Sequence, residues 1–319
     1  MQSEAATAGA ARPRLWSRPA VLVVGALVLI VAGVLAARGL RTLPAVEAFL
    51  TQYPGDAPRP ADAPVGFPAW VAIQHSLNAL FLLFTVRSGW RLHRAERPTL
   101  FWTRRNDGRI RTKNPPIRIA LDLWTHYVAD TLWALNGALY LLLVLVTGHW
   151  LRLVPLDWGV VPAAVSTGLQ YASLDWPTTN AWVNYNGLQQ LAYFAVVFVA
   201  SPLALLTGLR SAPGFAARLR FLDRVLPLRW STRIHWWTML ALVAFTVGHV
   251  ALVLATGAVR NLNHIYALRD DDSPAGVIVI LGFLALTALV WFVVTRPGLV
   301  RWAAARTGTV LERPAHKPR

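Results

Sequence analysis

The sequence predicts an all-α integral membrane protein with six transmembrane helices. Two observations support this fold class: hydrophobic residues make up 55% of the chain, and charged residues only 14%. The charges lie between six apolar segments, each long enough for the about 20 helical residues that cross a hydrocarbon core. We place these segments at residues 19–38, 67–87, 121–149, 187–209, 234–257 and 275–295.

The distribution of Lys and Arg predicts the orientation of the helices. The chain has 31 such residues, and 25 of them lie in segments 1–18, 87–118, 210–233 and 296–319. These basic segments alternate with weakly charged ones, so the positive-inside rule places both termini in the cytoplasm. The net charge of +16 lies in short loops and not on a soluble domain. We therefore expect the protein to contact the lipid bilayer and not to bind nucleic acid.

Two features of the first part of the chain need an interpretation. Arg12, Arg14 and Arg18 before an apolar run also fit a signal peptide. The run is long and has no clear cleavage motif, so we expect a retained helix. Residues 54–68 are rich in proline and predict an external loop without regular structure.

The chain contains no cysteine, which restricts any redox chemistry. Disulfides, iron–sulfur clusters and covalently attached haem are excluded, so a redox centre would have to be held by histidine or methionine. There are only two methionines and eight histidines. Ionisable side chains inside a bilayer are costly and are functional candidates by default. Four histidines lie within apolar segments at informative positions: His75, His126, His235 and His249.

The positions of these four histidines predict two pairs. His235 and His249 are fourteen residues apart, so on one helix they face nearly the same way, about 21 Å apart along the axis. By the predicted topology, His75 lies at the outer depth of His249, and His126 lies at the inner depth of His235. Two imidazoles on facing helices are what a six-coordinate haem b requires. We therefore predict two non-covalent haems, each iron held by one pair.

Two other interpretations stay open for these histidines. They could pack or form hydrogen bonds only, since polar residues also join membrane helices. They could also serve a proton or metal-ion transporter, although such a protein usually adds carboxylates, and only Asp122 and Asp130 lie near a span. Asp130, one turn after His126, is expected to form a structural hydrogen bond or to tune that site.

Residues outside the pairs have weaker predicted roles. Arg118 and Arg233 are candidates to pair with haem propionates on the inner side. His149 points away from the face of His126 and is read as an interfacial residue. The run Asp270-Asp271-Asp272 is read as a soluble external loop. The remaining histidines are expected to be solvated: His93, His264 and His316.

The order of the histidines resembles a known family. The pattern has one His early in a helix, one early in the next, none in the third and two in the fourth, spaced His-x13-His. This pattern is similar to that of the bacterial cytochrome b561 type. This type includes the di-haem subunits of nickel-iron hydrogenases, formate dehydrogenases and related molybdenum enzymes. The resemblance covers about 67–257 and implies the same two pairs, His75 with His249 and His126 with His235.

The resemblance also implies a quinone pocket. Asn186 and Gln189 match the family's Asn-x-x-Gln-Lys element beside the haem of the first and last ligands, while Gln190 replaces the lysine. Amides at this depth could donate hydrogen bonds to quinone carbonyls. The alternative is that Asn184 or Asn186 caps the start of the fourth apolar helix.

These observations predict the organisation of the chain. Residues 1–18 form a cytoplasmic tail, 19–66 an additional helix with an external loop, 67–257 a four-helix di-haem bundle, and 258–319 an external loop, the sixth helix and a basic tail. The two additional helices and an inverted orientation depart from the family. The basic loop 88–118 could then contact a cytoplasmic redox partner or anionic lipid headgroups.

The predicted function is electron transfer in the bacterial cytoplasmic membrane, between a redox enzyme subunit and the quinone pool of a respiratory chain. No combination of nucleophile and base in the loops indicates an independent hydrolase or transferase. A stand-alone transmembrane haem reductase is the nearest rival. The eukaryotic ascorbate type of such reductases places single histidines on four successive helices, whereas the segment 187–209 has none.

Overall fold

A computed structural model describes residues 18–94, 98–107, 111–177, 179–216 and 220–312. The predicted tail 1–18 and His316 thus lie almost entirely outside the described residues. The helices are α1 (Arg18–Arg41), α2 (Pro44–Gln52), α3 (Ala69–Arg94), α4 (Leu121–Val146), α5 (Trp150–Leu153), α6 (Val160–Ala172), α7 (Gly187–Phe194), α8 (Ser201–Ser211), α9 (Pro213–Ala216), α10 (Leu228–Ala255), α11 (Ala258–Leu262), α12 (Ala275–Val294) and α13 (Pro297–Thr307). The strands are β1 (Leu100–Arg104), β2 (Arg118–Ala120) and β3 (Gly308–Glu312).

The predicted membrane helices are confirmed. In the described part of the chain, six helices are long and apolar enough to cross a bilayer, and each overlaps one of the predicted segments. Helix α3 runs on to Arg94, and α10 already begins at Leu228, several residues beyond the apolar runs. The helices can extend beyond the apolar runs because long basic side chains at a helix end reach polar surroundings while their stems cover apolar surface.

The fourth membrane helix is interrupted by a π-helical turn. Helices α7 and α8 are joined by Ala195–Ala200 in π conformation, immediately before Ser201 and Pro202. Proline has no N–H to donate to the preceding turn, and such a missing bond is a common cause of a local change in helical register. The turn sets the rotation of α8, which carries Ala204 and Thr207 towards α10.

Two helical hairpins form the centre of the protein. Helix α3 packs along α4, and α8 packs along α10, whereas close backbone approaches between the two hairpins are few among the described residues. Helices α1 and α12 flank this centre, and their side chains are largely exposed. Exposed apolar side chains on long helices are the surface expected to face lipid.

The connections between the membrane helices collect at two ends. At one end, β1 pairs antiparallel with both β2 and β3, so residues from the loop 88–118 and the C-terminal segment share one sheet. At the other end, Asn180 donates a hydrogen bond to Asp270. We name these the basic end and the opposite end. The grouping is the one that the Lys and Arg pattern predicts, while the side of the membrane on which each end lies stays a prediction.

The sheet at the basic end was not predicted. Trp102 of β1 faces Ile119 of β2 and Val310 of β3, and its indole N–H donates to the carbonyl of Ala304 in α13. At Gly308 an added Cβ would overlap the Trp102 indole and the Thr103 carbonyl, so only glycine fits there. The basic loop is thus tied to the C-terminal segment by contacts that no local pattern indicates.

At the opposite end, α1 is anchored by its last turn. Arg38 donates a hydrogen bond to the carbonyl of Ser173, and Arg41 donates to the Ser173 hydroxyl and pairs with Asp175 at 2.5 Å. Residues 54–68 contain no helix and no strand of the sheet, as predicted, although Asp56 forms an isolated bridge to Asn186.

Candidate haem-binding sites

The structure brings the four singled-out histidines together in the two predicted pairs. His75 of α3 and His249 of α10 form the outer pair, with ring centres 6.3 Å apart and planes at 60°. His126 of α4 and His235 of α10 form the inner pair, also 6.3 Å apart and at 84°. The inner pair lies nearer the basic end, because α4 follows directly on β2 and carries His126 in its second turn. The uninterrupted helix α10 carries one ring of each pair.

The spacing within each pair suits two axial ligands of one iron. A metal–imidazole bond is about 2 Å long and the ring centre lies about 1.1 Å behind the nitrogen, so two rings on opposite sides of a metal have centres about 6.2 Å apart. Both observed separations agree with this value. Each ring can turn about its own bond to the metal, so the two interplanar angles are compatible with ligation.

Oxygen atoms that can accept a hydrogen bond lie beside Nδ1 of both inner rings. The Ser88 hydroxyl lies 2.9 Å from Nδ1 of His126 and also within hydrogen-bond distance of the carbonyls of Phe84 and Thr85, so it can donate to a carbonyl and accept from the ring. Nδ1 of His235 lies 3.0 Å from the carbonyl oxygen of Ala204, which can only accept. With the proton on Nδ1, Nε2 of both rings keeps the lone pair that a metal needs.

Two glycines allow the helices to approach the inner rings. A Cβ on Gly89 would lie 3.3 Å from Cε1 of His126, and a Cβ on Gly208 would lie 3.1 Å from Cε1 of His235. Gly137 and Gly248, which could make room for a flat macrocycle, have open space within 4 Å of an added Cβ. The His126 ring of α4 therefore packs against the backbone of α3 at Gly89, and the His235 ring of α10 packs against the backbone of α8 at Gly208.

Asp130 contacts the inner pair directly. One carboxylate oxygen lies 3.3 Å from Nε2 of His126, and the other oxygen is buried without a hydrogen-bond partner. Nε2 is the atom that would bind iron, so the carboxylate must turn aside when a metal is ligated there. The structural hydrogen bond expected of Asp130 stays a prediction, and its position beside His126 allows it to tune the site.

Aromatic rings surround the outer pair. Phe245 stacks on His249 at 5.6 Å and 11°, and Tyr193 meets the same ring edge-on at 5.9 Å. The phenol oxygen of Tyr266 lies 3.5 Å from Nδ1 of His75, at the limit of a hydrogen bond. Burial among apolar rings therefore dominates this site, whereas hydrogen bonds dominate the inner one.

Comparison with known proteins identifies the family. The chain is 30% identical over 202 residues to YedZ1 of Azospira oryzae, a putative protein-methionine-sulfoxide reductase subunit, and the match covers 58% of this chain and 88% of that protein. The chain belongs to the YedZ family. No family model and no solved structure gives a significant match. The relationship supports the coarse part of the resemblance, a b561-like membrane subunit, and gives no support to the hydrogenase or formate dehydrogenase type.

The residues predicted for quinone also have structural roles in this YedZ-family chain. Asn186 and Gln189 form a reciprocal capping box at the start of α7, and the Asn186 amide donates to the Tyr171 hydroxyl. Gln190 is buried and donates to the backbone carbonyl of Arg152. The capping alternative therefore describes the observed geometry. A role in quinone binding stays a prediction.

The two arginines predicted for haem propionates lie at the basic end, as expected. Arg118 is exposed in β2, with its guanidinium 4.1 Å from the centre of the Phe101 ring. Arg233 is exposed on α10, two residues before His235, with its guanidinium 5.6 Å from the centre of the Trp230 ring. Each is held by a cation–π contact, and its role towards a propionate stays a prediction.

One expectation about the other histidines was wrong. His264 is buried, 4% exposed, and its Nε2 lies 2.8 Å from Asp270, which also binds Arg260 and Asn180. The Arg260 guanidinium holds the pKa of Asp270 well below its usual range, with hydrogen bonds from His264 and Asn180 adding to the effect. The aspartate run is therefore part of a connected cap and not simply a solvated loop.

The remaining histidines agree with their predicted surroundings. His93 is exposed and stacks on Trp236 with ring centres 3.9 Å apart. His149 is half-buried beyond the end of α4, where its Nδ1 lies 2.9 Å from the Thr147 hydroxyl and its ring meets Trp70 edge-on. Neither contact joins these two rings to one of the pairs.

Proposed function

We propose that this protein is a membrane electron-transfer subunit that holds two b-type haems between its two helical hairpins. The observation that carries the proposal is the geometry of the histidines: two pairs with one ring each on helix α10, and in each pair the ring separation that two imidazoles would have with one iron between them. Membership of the YedZ family supports haem binding of the cytochrome b type. In the part of the chain that the structure describes, no group of three or more His, Asp or Glu side chains is arranged to hold a metal ion, but a haem iron needs only two protein ligands.

The chain's own residues have defined tasks in this function. His75, His126, His235 and His249 ligate; when bound, the haems supply one-electron redox chemistry. Ser88 and the Ala204 carbonyl orient the inner imidazoles, and the aromatic rings around the outer pair exclude water. Helix α10 spaces the two sites by about 21 Å between ligands, since fourteen residues separate them.

We further propose that a redox enzyme and the quinone pool exchange electrons through this subunit. The name of the Azospira relative favours a protein-methionine-sulfoxide reductase as the enzyme, rather than a hydrogenase or formate dehydrogenase. Reduction of a sulfoxide to a thioether and water takes two electrons and two protons, and oxidation of a quinol releases two of each. Asn186, Gln189 and Gln190 remain the proposed quinone contacts, and the bacterial cytoplasmic membrane, with the basic end inside, is the proposed location.

A reduced-minus-oxidised optical spectrum of the purified protein tests the haem proposal. We expect a b-type α-band and two haems per chain by pyridine haemochrome assay. His235→Ala should remove one haem and retain most of the outer one, and His75→Ala should remove only the outer haem. His93→Ala, on the same helix as His75 and outside both pairs, serves as the control. Absence of the α-band in well-folded protein would overturn the proposal and favour a transporter.

A second experiment tests the redox partners. Reduced protein in detergent should be reoxidised by a short-chain ubiquinone or menaquinone analogue, and Asn186→Leu or Gln190→Leu should slow that reaction while the haem content stays unchanged. Co-purification of the full chain from its native membrane should retain the enzyme subunit. Recovery of a hydrogenase or formate dehydrogenase instead would contradict the proposed partner class without affecting the haem assignment.

A further inference from the structure

We infer that the haem held by the inner pair has a lower reduction potential than the haem held by the outer pair. The inference rests on the proposed function, because it concerns haems at the sites described above. It follows from the contacts of the four imidazoles, which differ systematically between the two sites. Ser88, Thr207 and the Ala204 carbonyl act as positioning residues for the inner ligands.

Nδ1 of each inner imidazole has an oxygen atom within hydrogen-bond distance that can accept from it. The Ser88 hydroxyl lies 2.9 Å from Nδ1 of His126, and its proton is directed to backbone carbonyls. The Ala204 carbonyl lies 3.0 Å from Nδ1 of His235. The Thr207 hydroxyl lies 3.2 Å from the same nitrogen and uses its own proton towards Leu203, so it also accepts.

The outer imidazoles lack comparable acceptors. Among the described residues, neither ring nitrogen of His249 has a hydrogen-bond partner; its neighbours are the rings of Phe245 and Tyr193. Nδ1 of His75 has the phenol oxygen of Tyr266 at 3.5 Å, where a hydrogen bond is weak. The outer ligands are therefore held mainly by packing.

Three physical effects of these contacts have the same sign. A hydrogen bond from Nδ1 to an acceptor makes the imidazole a stronger electron donor, which stabilises ferric iron and lowers the potential. The Asp130 carboxylate beside the inner pair also favours the more positive ferric state. Apolar rings around the outer pair disfavour that extra charge and raise the potential. Electron transfer from the inner to the outer site is therefore downhill.

Potentiometric titration of single-haem variants tests the order. His75→Ala retains the inner haem and His126→Ala retains the outer one, so each midpoint potential is measured separately by optical spectra. We expect the inner haem to titrate at the lower potential. Equal midpoints or the reverse order would overturn the inference while the haem assignment stands. If neither variant binds haem although the unchanged chain binds two, the pairing in the proposed function is at fault instead.

Two further variants test the positioning residues in the full di-haem protein. Ser88→Ala and Thr207→Val should each shift the lower midpoint upward and leave the higher one in place. The matched controls are Ser76→Ala and Thr131→Val, whose hydroxyls donate to carbonyls of their own helices without contact to the inner rings. Unshifted potentials in both test variants, or equal shifts in the controls, would contradict the assigned role.

Discussion

The inner and outer histidine pairs share helix α10 and have the same ring separation, but their surroundings differ. The inner rings are fixed by hydrogen bonds to Ser88 and the Ala204 carbonyl and touch glycine backbone. The outer rings are enclosed by Phe245, Tyr193 and Tyr266. One scaffold can thus present the same two ligands in a polar or an apolar setting, and the setting rather than the ligand distinguishes the two sites.

The largest effect on haem content is expected from a side chain added at Gly208, where the backbone of α8 closely approaches an inner ring. Gly208→Val places side-chain atoms where a Cβ already lies 3.1 Å from the His235 ring, so the ring must shift and the inner haem should be lost. Haem content per chain should fall by about half, with the outer haem retained. Gly282→Val on α12, where an added Cβ meets nothing within 4 Å, is the control. Full haem content in the Gly208 variant would show that this approach does not position the ligand.

A smaller effect is expected from the carboxylate that only the inner site possesses. Asp130→Asn removes a negative charge beside His126 while keeping the size of the side chain. The inner midpoint should rise and the outer midpoint should stay constant in an optical redox titration. An unchanged inner midpoint would mean that Asp130 turns far enough away on haem binding to have no influence on the iron.

The smallest effect is expected from the cap around Asp270 at the opposite end. The pKa of Asp270 is lowered in the folded protein, chiefly by Arg260. A carboxyl with a depressed pKa contributes stability that is present above its unfolded pKa of about 3.9 and is lost as pH falls towards the folded value. Partly exposed pairs contribute on the order of 1 kcal/mol or less, so Asp270→Asn should lower the thermal midpoint by a few degrees at pH 7.

The pH dependence separates the ion pairs of this cap from its packing. The difference in thermal midpoint between the unchanged protein and Asp270→Asn should shrink as the pH is lowered below about 4, because the Asp270 carboxyl then binds a proton in the unfolded chain but not yet in the folded protein. A difference that persists at low pH would assign the effect to packing of His264 against Phe67 and Trp182. The haem content should stay the same throughout.

Much of this architecture was predictable because its signals are local. A run of about 20 apolar residues must be helical in a bilayer, since every backbone group needs an internal partner. Helical periodicity then fixes that His235 and His249 face the same way. Pairing with His75 and His126 followed from depth alone. For these reasons the six helices and the grouping of the four histidines could be derived without a structure.

Contacts between distant segments were not predictable in the same way. Trp102 donates to Ala304 across 202 positions of the chain and joins the basic loop to the C-terminal segment. His264 lies in the connection between two predicted membrane helices, and contacts with Asp270 and the rings around it explain its burial. Such contacts depend on how whole helices are arranged, and no periodicity within one segment encodes them.

The amino-acid sequence by itself therefore determined the number of membrane helices, the two ends of the bundle and which histidines share a layer. Hydropathy and helical rise act within one segment, so a sequence is sufficient for them. Only the tertiary structure decided which atoms accept from each imidazole and what surrounds each pair. Those contacts form between helices, at distances of a few ångströms, and they distinguish the inner from the outer site.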